Sequence, residues 1–338
     1  MITKKVPLLY LFFPMLLGGI IAFFILENNY NLFANNTNLP NDKANAIDGR
    51  KNLKTVRLND YHYTKPILYA EETTESPRYS SLKIGINNLV EKYKIDGSLN
   101  SASVYIRDFN NGEWMELNPQ ESYQPGSLLK VPILITFLKM NEKDPNTLDS
   151  YVISKKSYND VQQNILTKSI KIGQRYKVRE LLHYMIANSD NNATFLLSEY
   201  MDPQIYNKVY TDLGISIKNM DNRSLFHLSA KEYSVFFKVL FNASYLSNKD
   251  SEYAASLLSE CDFKDGLIKE LPKNVTVAHK FGEAGTNEMH ELSESGIVYV
   301  ADNPYIITVM TKGPQLNSLS SIISEISKLV YTKMAGGM

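Results

Sequence analysis

Residues 123–139 read YQPGSLLKVPILITFLK. Leu128, Leu129, Val131, Ile133, Leu134, Ile135, Phe137 and Leu138 leave almost no polar face, as in a helix buried on all sides. Lys130 interrupts this run, three residues after Ser127. An ammonium in such surroundings must be paired or give up its proton. A Ser-x-x-Lys pair alone recurs by chance about once in a chain of this size. Ser80 and Lys83 make a second one, but at a helix start with a polar side, where the lysine reaches water. The apolar setting therefore singles out Ser127 and Lys130.

Outward from this helix the pattern alternates in blocks. Upstream, SLKIGINNLVEKYK places Leu82, Ile86, Leu89 and Val90 at helical spacing. ASVYIRDF and EWMEL read as two strands joined through Asn110-Asn111-Gly112, a hairpin signal. From about 130 to 270 the text is mainly helical, with a Ser-x-x-Glu capping box at Ser229–Glu232. Strands return in NVTVAHKF, ESGIVYVA and YIITVMTK, and SLSSIISEISKLVYTKM closes the chain as an amphipathic helix. The sheet thus draws strands from both ends, with a helical block between them.

The 338 residues carry 36 basic and 36 acidic side chains, with 43% hydrophobic and 21% charged residues. This is the balance of a globular domain without the basic excess that nucleic acid requires. Cys261 is the only cysteine, which excludes an internal disulfide framework and a cysteine zinc site; it reads as a small buried hydrophobe. His62, His183, His227, His279 and His290 show no metal spacing and read as packed, hydrogen-bonded residues. No metal or other cofactor is expected.

The N-terminus has Lys4 and Lys5 before an uncharged run from Val6 to Leu26, about the length that spans a bilayer. Two readings stay open: a transmembrane anchor over 1–26, which the length favours, or a signal segment cut after Ala34. Either way the working domain is expected outside the cytoplasm. Residues 27–78 then form a tether: Asn-rich over 27–48, and more apolar over 50–78, where an extended segment is expected to pack on the domain. The domain itself is expected over 79–338.

Two further motifs follow Ser127-x-x-Lys130 in order. Ser189-Asp190-Asn191 ends a helix, and Lys280-Phe281-Gly282 ends a strand. Lys-x-Gly recurs at Lys83, Lys171 and Lys264, but only Lys280 closes a strand-like run with two more strands after it. Together the three motifs resemble those of the class A β-lactamase and penicillin-binding-protein superfamily, over roughly residues 80–335. The resemblance implies an α+β fold of three α/β/α layers, an antiparallel sheet plus a helical subdomain. It implies a serine hydrolase acting on a β-lactam or a D-Ala-type cell-wall peptide; export is expected from the N-terminal run, and the chain is expected to be a monomer.

The resemblance also distributes roles. Ser127 is the nucleophile, and Lys130, with its pKa lowered by the apolar helix, is the base. Ser189 relays a proton to the leaving nitrogen. Asn191 holds the substrate amide and orients Lys130, while Asp190 fixes its loop. Lys280 attracts a substrate carboxylate, and Gly282 lets the substrate lie along the strand. Backbone N–H groups of Ser127 and Glu283 form the oxyanion hole.

Two departures qualify this. Phe281 stands where the family usually carries a hydroxyl that binds the carboxylate, so weaker binding is expected unless Thr286 compensates. Class A β-lactamases also carry a glutamate in the loop after the Ser-Asp-Asn helix, which activates the deacylating water. Between Met201 and Ala230 this chain has no glutamate; Asp202, Asp212 and Asp221 are shorter stand-ins. Acylation is expected and fast deacylation is not. The alternative is a membrane-tethered sensor or binding protein that acylates without turnover.

Overall fold

The computed structural model describes residues 53–156, 165, 168–222, 225–300 and 303–336. The chain divides after Arg50, and the first 52 residues, with the apolar run 6–26 and the Asn-rich stretch 27–48, lie outside the described residues. Among the described residues, no helix is long and apolar enough to cross a membrane.

The first described element is an antiparallel hairpin, β1 (Leu53–Arg57) with β2 (Ile67–Glu72). Helix α1 (Ser80–Ile95) follows and buries Leu82, Ile86 and Val90 at four-residue spacing. Strands β3 (Ser101–Asp108) and β4 (Trp114–Leu117) form the expected hairpin. Its turn is held by Asp108, whose carboxylate accepts from the Asn110 N–H at 2.8 Å, and by Gly112 at φ 75°.

The central helix α2 (Lys130–Lys143) buries every side chain from Lys130 to Leu138. A small sheet of β5 (Tyr151–Ile153) and β6 (Arg175–Lys177) interrupts the helical block, where the sequence reading expected helix. Three-residue strands are too short to show a period-two pattern. The block continues with α3 (Val178–Ala187), α4 (Asn191–Ser198), α5 (Pro203–Asp212), α6 (Ala230–Phe241) and α7 (Asn248–Ser259). Helix α6 opens on the expected capping box, Ser229 and Glu232 each bonding the other's backbone N–H.

Strands β7 (Thr276–Gly285), β8 (His290–Tyr299) and β9 (Tyr305–Gly313) complete a five-stranded antiparallel sheet in the order β4-β3-β9-β8-β7. Helix α8 (Leu316–Ala335) closes the chain. It packs with α1 on one sheet face over Val104, Ile106, Ile307 and Val309; Ile322, Ile326 and Val330 supply its buried stripe. The helical block covers the opposite face, around Tyr105, Ile306, Met310, Leu134, Phe236 and Phe237. This is an α+β fold of three layers, with an antiparallel sheet and a helical subdomain, as the sequence resemblance implies. Strand β7 lies at the sheet edge, against the turn that leads into α2.

Candidate active site

Ser127 sits in a single 3₁₀ turn, Gly126–Leu129, that runs directly into α2. In such a turn residues three apart eclipse, so Ser127 and Lys130 share one face. The Pro125-Gly126 pair sets the turn, with Gly126 at φ 52°, a conformation that favours glycine. A Cβ on Gly126 would lie 2.2 Å from the carbonyl oxygen of Glu283. A Cβ on Gly282 would lie 2.2 Å from the carbonyl oxygen of Pro125. The serine's turn and strand β7 therefore meet backbone to backbone, through two glycines. Sequence reasoning gives Gly282 to the substrate; in the fold it makes room for the Ser127 turn, and this also places the Glu283 peptide beside it. Gly126 is a site residue that the motif reading misses, although the Pro-Gly pair is legible as a turn signal.

Lys130 is 2% exposed and fully engaged. Its Nζ donates to the Ser189 carbonyl at 2.5 Å, to Ser189 Oγ at 3.0 Å and to Asn191 Oδ1 at 2.9 Å. Ser189 has φ 55°, in the left-handed region that a non-glycine residue enters at a cost of about 1–2 kcal/mol. This strained residue turns both its carbonyl and its hydroxyl toward Lys130. Asp190 caps α4, accepting from the Asn192 N–H at 2.9 Å, and holds the segment at Ser169 and Ile170 by bonds of 2.9 and 2.8 Å. It is a loop-fixing residue, as expected.

Lys280 arrives from the other side. It is completely buried, and its Nζ donates to Ser189 Oγ at 2.9 Å and to the Phe281 carbonyl at 3.0 Å. Burial lowers its pKa to about 8. The Phe281 ring, tilted at 33° against Phe263 with centroids 4.5 Å apart, has its centroid 3.9 Å from the Lys280 ammonium. The aromatic face thus lies beside Lys280 at the motif position where the family carries a hydroxyl.

Ser189 Oγ bridges the two lysines, whose nitrogens lie at most about 6 Å apart. Two positive charges at that distance repel by about 3 kcal/mol at an effective dielectric of 20. The arrangement can take a proton from a nearby hydroxyl and pass one through Ser189.

On the opposite face of β7, His279 is buried with Glu294, Nδ1 to Oε1 2.6 Å apart. The same carboxylate accepts from the Leu267 N–H at 2.9 Å, so the pair pins the segment 261–271 against the strand. Cys261 is wholly buried in that packing, and burial pushes its thiol pKa up. His279 is a packed, hydrogen-bonded residue, as its sequence context suggests.

Residues 81–334 match the model of a family described as the β-lactamase enzyme family. No curated protein matches. Among solved structures, a representative of class A β-lactamase from Bacteroides cellulosilyticus is 21% identical, covering 76% of this chain and 99% of that one, with a TM-score of 0.64. TLA-1 extended-spectrum β-lactamase is 20% identical, covering 75% and 98%, with a TM-score of 0.65. PBP-A, in a mutant form as an acyl-enzyme complex with penicillin G, is 20% identical, covering 75% and 96%, with a TM-score of 0.61.

Proposed function

The chain belongs to the β-lactamase enzyme family, and from that premise we propose that it is a serine acyl hydrolase acylated on Ser127 by a β-lactam or a D-Ala-type peptide. The observation that carries the reading is Ser189 Oγ held between the two buried lysines, Lys130 and Lys280. Lys130, in its neutral state, takes the Ser127 proton as Oγ attacks the carbonyl carbon. The backbone N–H groups of Ser127 and Glu283 take the developing oxyanion. The C–N bond then breaks, and Ser189 gives its proton to the leaving nitrogen while regaining one from a lysine. Lys280, charged, takes the substrate carboxylate, and Asn191 holds the substrate amide.

Hydrolysis of the acyl-enzyme is slow, because Met201–Ala230 offers no glutamate to activate water. The same observation favours a second reading, a tethered sensor that stays acylated. The domain works outside the cytoplasm as a monomer behind the N-terminal anchor, which the Lys4-Lys5 pair and the apolar run Val6–Leu26 support. The test is intact-mass analysis of the full-length chain, purified in detergent and mixed with penicillin G. A mass increase of one penicillin that disappears in Ser127→Ala supports the proposal. No adduct on the native chain removes β-lactams as ligands.

A further inference from the structure

The hairpin β1–β2 precedes the region that the family model spans, yet every residue of β2 from Leu68 to Glu72 is bonded into the domain. Ser244 Oγ donates to the Leu68 carbonyl at 2.5 Å, Arg107 Nη2 to Ala70 at 2.9 Å, and Trp114 Nε1 to Glu72 at 2.8 Å. Tyr69 OH donates to the Leu213 carbonyl at 3.3 Å. Glu71, 6% exposed, gathers three cations: Lys238 at 2.7 Å, Arg107 at 3.3 Å and Lys231 at 3.5 Å, together with the Tyr105 hydroxyl.

These partners have a pattern. Leu213 is where α5 ends and the segment 213–229 begins. Lys231 is the second residue of α6, just past the Ser229 cap where that segment ends. Tyr69 and Glu71, two residues apart, therefore hold both ends of one loop. This loop lies within the stretch that lacks the glutamate of class A enzymes. The loop and α6 reach the site by two bonded routes. Leu228 exchanges both backbone hydrogen bonds with Tyr123, each 3.0 Å, four residues before Ser127. Tyr233, on α6 between Lys231 and Lys238, donates its hydroxyl to the Leu128 carbonyl at 2.8 Å, one residue after Ser127. The Ser127 turn is thus braced on both sides by elements that the hairpin fastens.

We propose that Tyr69 and Glu71 are positioning residues for acylation: the N-terminal hairpin clamps both ends of loop 213–229 and, through Leu228 and Tyr233, sets the turn that carries Ser127. This rests on the reading of Ser127 as the acylated residue.

The test uses the full-length chain with Tyr69→Phe, which removes one hydroxyl, and Glu71→Gln, which keeps size and removes charge. Backbone amide hydrogen exchange is followed by peptide. The clamp predicts about tenfold faster exchange in 213–232 and 123–129, with β8, β9 and α8 unchanged. Acylation by a fluorescent penicillin should lose about tenfold in its limiting rate with the half-saturating concentration unchanged, and Glu71→Asp should recover part of it. Faster exchange spread evenly over the whole chain, or unchanged exchange in the two segments, overturns the clamp. Local loosening with a native acylation rate overturns the positioning role. If Glu71→Gln does not fold, Tyr69→Phe decides alone. If the native chain takes no penicillin, the acylation reading and the positioning role fall together, and the exchange pattern separately shows whether the hairpin holds the loop.

Discussion

The titration of Lys280 offers the most quantitative test of the proposed chemistry. Burial lowers this lysine to about pH 8, so it is about nine-tenths charged at pH 7 and about one-tenth charged at pH 9. The substrate carboxylate is assigned to the charged form. A hydrogen bond between charged partners contributes about 2 kcal/mol, or about thirty-fold in binding. The second-order rate constant for acylation by penicillin G should therefore fall about sevenfold from pH 7 to pH 9, and approach a loss of about thirty-fold only at higher pH. The penicillin methyl ester, which lacks the carboxylate, has no such interaction to lose. Its rate constant should hold or rise over the same range as base becomes more available. The assay is stopped-flow or quenched acylation of the full-length chain with both compounds, from about pH 6 to about pH 9.5, a range that brackets the lysine's titration. Parallel profiles for acid and ester would refute the assignment of the carboxylate to Lys280.

Four further outcomes follow from the geometry. Ser189→Ala removes the hydroxyl shared by both lysines and should slow acylation by about 10²–10⁴-fold while leaving the fold intact by circular dichroism. Gly282→Ala and Gly126→Ala each force a Cβ to 2.2 Å from a carbonyl oxygen across the contact between turn and strand, and should separate them. Gly126→Ala adds the left-handed backbone penalty of about 1–2 kcal/mol, so thermal unfolding should show it the less stable. Burial alone would raise the Glu71 pKa, but the charge and hydrogen bond of Lys238 and the Tyr105 hydroxyl overcome this and bring it to about 2. A carboxylate lowered from 4.5 contributes stability above its unfolded pKa and loses it as pH falls through the folded one. Urea unfolding should accordingly show a loss of up to roughly 3 kcal/mol between pH 4.5 and 2 that Glu71→Gln lacks. The gain is partial, because burial outweighs Glu71 at Lys238 and lowers that lysine to about 8.

Much of this structure is legible in local sequence patterns. The buried run after Ser127 is a helix because its side chains have nowhere polar to go, and Lys130 is buried because that helix is. The Ser229–Glu232 box and the Asn110-Asn111-Gly112 turn are local chemistry, set within a few residues, and both form as read. What stayed hidden depends on distant partners. Glu71 and Lys238 are 167 residues apart, and neither looks unusual in its own segment. The packing role of Gly282 appears only when β7 is laid beside the Ser127 turn. Phe281 reads as a lost hydroxyl in the motif, while in three dimensions it is a buried ring packed against Phe263 that faces an ammonium. The left-handed Ser189 has no sequence signature at all, since its strain is imposed by the groups around it.

The central claim is that Ser127 is acylated and slow to be released. The direct measurement is a time course of intact mass for the full-length chain with penicillin G, beside Ser127→Ala. The account predicts a single penicilloyl adduct that requires Ser127 and persists long after free penicillin is removed. An adduct that clears within seconds as hydrolysed penicillin accumulates would contradict the slow step drawn from the glutamate-free loop. A chain that gains no mass, or gains it equally with alanine at position 127, would contradict the claim itself.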